Sequence, residues 1–204
     1  MIQIRQNIFE TNSSSSHALV IFDGIAENSD PKRCDWHISD KTGKIYIYED
    51  DITFGRYPFD LLTDWYRRMC YAIASYAYDK NAKGKRKEIE SMLRKRYPHF
   101  KEIEYPVTWQ YDSKKDEEIR KTFYGYVDHQ SDGMLQSFLK KYDVSLEDFI
   151  FDDRYMVVID GDEYNVFDRV LNTPAWNDKK VKVVYDTMAQ FYDEYPEYKE
   201  EKND

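Results

Sequence analysis

Ser13-Ser14-Ser15-Ser16-His17-Ala18-Leu19-Val20-Ile21-Phe22 runs from four hydroxyls and an imidazole straight into five apolar residues. The apolar half has strand length and no polar alternation, which predicts a buried β-strand, and Asp23-Gly24 supplies the turn chemistry that ends it. Upstream, Ile2 and Ile4 alternate with Gln3 and Arg5, the period of a short first strand with Arg5 and Asn7 on its exposed side. Set between two strands, Thr11 to His17 reads as a polar loop held at a sheet edge.

Both periodicities continue downstream. Trp36-His37-Ile38 and Lys44 to Tyr48 flank a polar turn and predict a hairpin, with Ile45 and Ile47 on one face and Tyr46 and Tyr48 on the other. From Pro58 to Asp79, the residues Leu62, Trp65, Met69, Ile73 and Tyr76 recur every three or four positions and predict a long central helix. Lys80 to Lys87, with Gly84, reads as a basic connection, and Ile89 to Arg96 as a second helix stopped near Pro98. Pro106 to Tyr111 is read as extended, Lys114 to Lys121 as a solvated helix, and Phe123 to Val127 as strand-like. Short helices are expected at Met134 to Leu139 and after the Ser145 cap, strands at Tyr155 to Ile159, Glu163 to Phe167 and Val181 to Tyr185, and a helix at Thr187 to Tyr195. The pattern predicts a single α+β domain over 1–195, with a mixed or mostly antiparallel sheet and a long central helix, followed by an acidic tail at 196–204.

The chain has 204 residues, enough for a sizeable core, and its 17% aromatic content argues against general disorder. Nineteen tyrosines suit half-buried strands and binding surfaces where one end of the ring stays wet. A net charge of −9 weighs against direct nucleic-acid binding and favours a basic partner. No apolar run has the length of a membrane span, and the first residues lack the pattern of a secretory signal, so a cytoplasmic location without membrane contact is expected. Cys34 and Cys70 stand in unlike contexts and read as reduced thiols.

Two stretches carry candidate chemistry. In the serine loop, backbone N–H groups, the Asn12 carboxamide and the hydroxyls of Ser13, Ser14 and Ser16 and their neighbours could form an anion nest, with Arg5 supplying charge for a nucleotide or phosphate ligand. The alternative is that these side chains satisfy their own backbone in turns. Ser15 shares a strand face with His17, so a nucleophile and base could be Ser15 and His17, joined by Asp128 and His129 if the second stretch meets the first. Ser131 is a further ligand-binding candidate in that stretch, with the alternative that Ser131 or Asp132 caps the following helix. Cys34-Asp35-Trp36-His37 is half of a zinc pattern without its second pair, and Asp160, Asp162 and Glu163 are as well explained by a turn as by a magnesium site. Neither supports a metal assignment, and the residues identify no cofactor.

Three segments taken together, Arg5 to His17 with its Phe9-Glu10-Thr11-Asn12-Ser13-Ser14-Ser15-Ser16-His17 core, Gly125 to Ser131, and Phe149-Ile150-Phe151 with Ile159 to Glu163, resemble a set of uncharacterised proteins from phages and mobile elements of low-GC Gram-positive bacteria. The resemblance spans about two-thirds of the chain and implies an accessory phage gene acting in the host cytoplasm, with a counter-defence or host-directed role. The acidic, tyrosine-rich composition then suggests a protein that binds and inhibits or redirects a basic host factor, such as a nucleic-acid-processing defence nuclease, in the manner of an anti-CRISPR. The other expectation is an enzyme or nucleotide binder that processes nucleotides or phosphoesters through the serine loop with Arg5 and the histidines.

Overall fold

The computed structural model describes residues 16–22, 37–55, 60–160 and 181–197. Arg5, Asn12, Ser13, Ser14, Ser15, Cys34 and the expected strand at Glu163 to Phe167 lie outside the described residues. The fold is α+β, with helices and both antiparallel and parallel strand pairs.

Its main sheet is antiparallel and contains β1 (Ser16–Phe22), β4 (Asp60–Leu62), β9 (Tyr155–Asp160) and β10 (Val181–Asp186) in the order β10-β1-β9-β4. β1 is therefore an inner strand, with Leu19 paired to Tyr185 on one side and Val157 on the other, in keeping with the buried strand that its apolar run predicts. Both sheet faces are buried. Leu19, Val157 and Tyr185 join the main core, whereas Val20, Met156 and Val158 form a second cluster on the opposite face. Burial on both sides explains the unbroken apolar runs, because neither face selects for polar side chains. Each fully buried aliphatic side chain here contributes roughly 1.5–3 kcal/mol.

Three smaller strand pairs surround the sheet. β2 (Lys44–Tyr46) pairs in parallel with β5 (Glu102–Glu104), and β3 (Thr53–Phe54) in parallel with β8 (Tyr126–Val127). The hairpin expected at 36–48 shrinks to one bridge, Ile38 to Ile45, although Ile45 and Ile47 are buried and Tyr46 and Tyr48 exposed as the alternation requires. Gly43 turns the chain at a positive φ of 71°, and its backbone exchanges hydrogen bonds with Ser39 and Lys101, which docks β2 on β5. β6 (Val107–Asp112) and β7 (Glu117–Thr122) make a separate antiparallel hairpin, so Lys114 to Lys121 is turn and strand, not helix. Asp116 adopts φ 58° in that turn and accepts a hydrogen bond from the Tyr111 hydroxyl, closing the hairpin.

The long helix expected from Pro58 is also corrected. Asp60 to Leu62 extend along β9 as β4, and α1 covers only Trp65–Ser75, with the Asp64 carboxylate accepting from Arg67 N at 2.9 Å as its cap. Pairing to β9 wins over helical periodicity because it buries Leu62 and satisfies the backbone at once. α1 is central as expected, and every residue except Arg67 is buried. α2 (Ala82–Arg96) begins earlier than its apolar pattern and includes Gly84, over which the Asn81 side chain folds so closely that a Cβ would lie 2.2 Å from Asn81 Oδ1. α3 (Met134–Lys141), α4 (Leu146–Phe151, capped by Ser145) and α5 (Thr187–Glu194, capped by Asp186) complete the helices. Among the described residues, no helix is long and apolar enough to cross a membrane.

Arg68, on α1, is 0% exposed. Its guanidinium donates to Ile150 O at 3.0 Å, to Tyr155 O at 2.9 Å and to Thr63 O, and lies 3.5 Å from Asp153. One side chain thus joins the entry to α1, the end of α4 and the start of β9. Burial lowers its proton affinity, opposed by the Asp153 carboxylate. Arg68→Met should leave the buried contacts at Ile150 O and Tyr155 O without this donor and cost roughly 3–5 kcal/mol, read as a lower urea midpoint at unchanged slope.

Candidate functional site

The C-terminal end of α1 and the turn after it, Ala74 to Asp79, face the segment from Tyr126 to Gln136 across a cleft. Its larger part, about 390 Å³, is bordered by Ser75, Tyr78, Tyr126, Asp128, His129 and Asp132. A neighbouring part of about 310 Å³ shares Ser75, Tyr78 and Asp132 and adds Asp79 and Gln136. These volumes fall in the usual range for ligand clefts.

Backbone constraints hold the far wall. Gly125 has φ 83°, and a Cβ there would lie 2.1 Å from Ile52 O, so only glycine lets β8 sit against this stretch. The Tyr126 ring lies over Gly55, where a Cβ would stand 2.9 Å from the tyrosine oxygen. Asp128 N donates to Phe54 O at 2.7 Å, and Gln190 Nε2 on α5 donates to Asp132 O at 3.0 Å. Across the cleft, Gln136 Nε2 donates to Ser75 O at 3.1 Å. The helical cap expected at Ser131 or Asp132 is corrected: Gly133, at φ 74°, is the N-cap of α3 and no side chain caps it.

The turn His129–Ser131 packs against β1, the strand that carries His17. Their imidazoles occupy different worlds. His17 is 0% exposed, with Nδ1 3.1 Å from the Tyr71 hydroxyl, and desolvation lowers its pKa from 6.5 to about 3, so it is a neutral interior group at neutral pH. Burial raises the Tyr71 phenol, and Ser75, one turn further along α1, pulls it back slightly. His129 has a side chain 71% exposed, with Nδ1 3.2 Å from Oδ1 of the buried Asp128 carboxylate. If Nδ1 carries the proton toward Asp128, Nε2 is an acceptor open to the cleft. Ser131 is buried and its hydroxyl makes no hydrogen bond. Ser16 opens β1 opposite Asp160.

Asp128 and His129 thus border the cleft, whereas His17 does not. Sequence reading missed Ser75, Tyr78, Asp79, Tyr126 and Gln136 as site residues, because the walls lie some fifty positions apart and each half alone reads as an ordinary helix end or strand end. The lining contains three carboxylates and, among the described residues, no lysine or arginine. Its chemistry is that of a hydrogen-bond acceptor surface with tyrosine walls. Among the described residues, no group of three or more His, Cys, Asp or Glu is placed to hold a metal ion. No family model matches the chain, and neither a curated protein nor a solved structure gives a match.

Two outcomes follow from this geometry. Because the folded pKa of His17 lies below its unfolded value, its contribution to stability is complete above pH 6.5 and falls by about 1.4 kcal/mol per unit as pH drops toward 3. Chemical denaturation from pH 7 to 4 should show that slope, and His17→Gln should flatten it. Gly125→Ala should destabilise the fold by about 1–3 kcal/mol through its positive φ and its contact with Ile52, measurable as a drop in Tm.

Proposed function

We propose that the protein works by binding a basic partner through its acidic surface, with the cleft between α1 and α3 as the focus of the contact. The observation that supports this reading most directly is the lining: Asp79, Asp128 and Asp132 beside Tyr78 and Tyr126, with no lysine or arginine among the described lining residues. Aromatic and acidic groups together favour cationic groups by ring quadrupole and by charge, and the net charge of −9 steers such a partner in from a distance. The partner is a basic host protein that processes nucleic acid, and binding would block or redirect it by occupying the groove that normally receives phosphates. The resemblance to accessory phage proteins fits a counter-defence role of this kind.

A second reading rests on the 3.2 Å Asp128 to His129 pair, in which a buried carboxylate orients an exposed imidazole as an acid–base group does. Nucleotide or phosphoester chemistry would use His129 as proton carrier. The carboxylates around it oppose that use, since a phosphate in the cleft would meet like charge with no described cation to offset it.

Affinity capture of tagged protein from a Gram-positive host lysate tests the first reading. A basic nucleic-acid-processing protein should be retained at about 0.1 M salt and released toward 1 M, where the screening length falls from about 10 to 3 Å. Asp79→Lys with Asp132→Lys should abolish retention without changing the circular dichroism spectrum. Retention only of acidic proteins, or retention indifferent to salt and to those substitutions, rejects the reading. His129→Ala should leave capture intact, and its abolishing a phosphoester hydrolysis activity would instead favour the second.

A further inference from the structure

Acidity alone would admit any cation, but the cleft has a finer pattern. Ser75 is 6% exposed and borders both parts of the cleft, with Tyr71 beside it on α1. Gln136 Oε1, in the wall of the smaller part, is buried and unpartnered while the amide nitrogen of the same side chain holds α1. Asp132 is exposed at the junction of the two parts, and its carboxylate makes no contact with a described residue. Tyr78 stands beside them with 83% of its surface exposed. Polar side-chain atoms buried without partners are costly, and a ligand carrying several donors at once would satisfy them.

We infer that the cleft receives the guanidinium of an arginine presented by the partner protein, stacked on Tyr78 and bonded to the Asp132 carboxylate and Gln136 Oε1. This rests on the reading of the cleft as the contact for a basic protein. A guanidinium offers five donors in one plane, stacks on aromatic faces and is weakly hydrated, whereas an ammonium is a strongly hydrated point charge that gains little from a ring and divergent acceptors. The molecule already uses this contact elsewhere, with the Arg86 guanidinium 3.6 Å from the centre of the Tyr124 ring. Charge complementarity selects the occupant: the three carboxylates of the lining repel acidic segments and disfavour an apolar one.

Isothermal titration of the full chain with hexa-arginine and hexa-lysine peptides at equal ionic strength separates shape from charge. Hexa-arginine should bind about tenfold more tightly. Tyr78→Ala and Asp132→Asn, both at exposed positions, should each reduce that preference to within about twofold, whereas Glu197→Gln, which removes the same charge outside the cleft, should leave it intact. Equal affinity for the two peptides, or a preference that survives both cleft substitutions, overturns the arginine assignment and leaves the basic-partner reading standing. Failure of both peptides to bind overturns both. Saturation by agmatine at the same concentration as the peptide would assign the site to a small guanidinium compound and overturn the protein partner.

Discussion

The guanidinium of Arg68 holds the architecture in register. Three carbonyls that converge on it come from the entry to α1, the last turn of α4 and the first residue of β9, and the contacts at Ile150 and Tyr155 are buried. A lysine at this position could not serve all three in one plane, and an apolar residue could serve none. Because the contact fixes α1 against β9, it also fixes where α1 ends. That end supplies Ala74 to Asp79, so the near wall of the cleft depends on a contact in the deepest part of the core.

The many tyrosines divide between two roles. Tyr71, Tyr155 and Tyr185 are buried among other rings, with Tyr185 packing on Phe138 and Tyr142, and Tyr71 on Phe54 and His17. Here the phenol matters as a polar tip that a phenylalanine lacks, as in the bond between Tyr71 and His17 Nδ1. Tyr78 and Tyr126 instead border the cleft, and Tyr111 lies with Val107 and Trp109 on the exposed face of the β6–β7 hairpin. One residue type builds the interior and furnishes the contact surface.

Charge is sorted along the chain in a way the net value conceals. α2 carries seven Lys or Arg against two Glu, but most of these cations have internal partners. Lys85, Arg94 and Lys95 pair with Glu88, Glu90 and Glu147, while Arg86 and Arg96 lie over the rings of Tyr124 and Phe151. A basic helix engaged in this way presents less free positive field than its count of cations suggests. Asp79, Asp128 and Asp132 gather instead at one cleft, with no lysine or arginine among its described lining residues.

The sequence by itself determined which segments would be buried and polar: the apolar runs of β1 and β9, the alternation at Ile45 and Ile47, the apolar positions of α1 and the cap at Ser145 follow from period and side-chain size. It also singled out Asp128 and His129, which do border the cleft. What it could not determine was pairing. Whether Asp60 to Leu62 would finish a helix or join a sheet depended on β9, nearly a hundred residues away, and Glu117 to Thr122 became a strand because β6 offered hydrogen bonds that a solvated helix could not match. The same limit applies to the histidine beside the serine run. Its sequence neighbours are hydroxyls and invited a catalytic role, but the tertiary structure placed His17 on an inner strand beneath Tyr71, where desolvation keeps it neutral, and built the cleft from residues that only packing brings together.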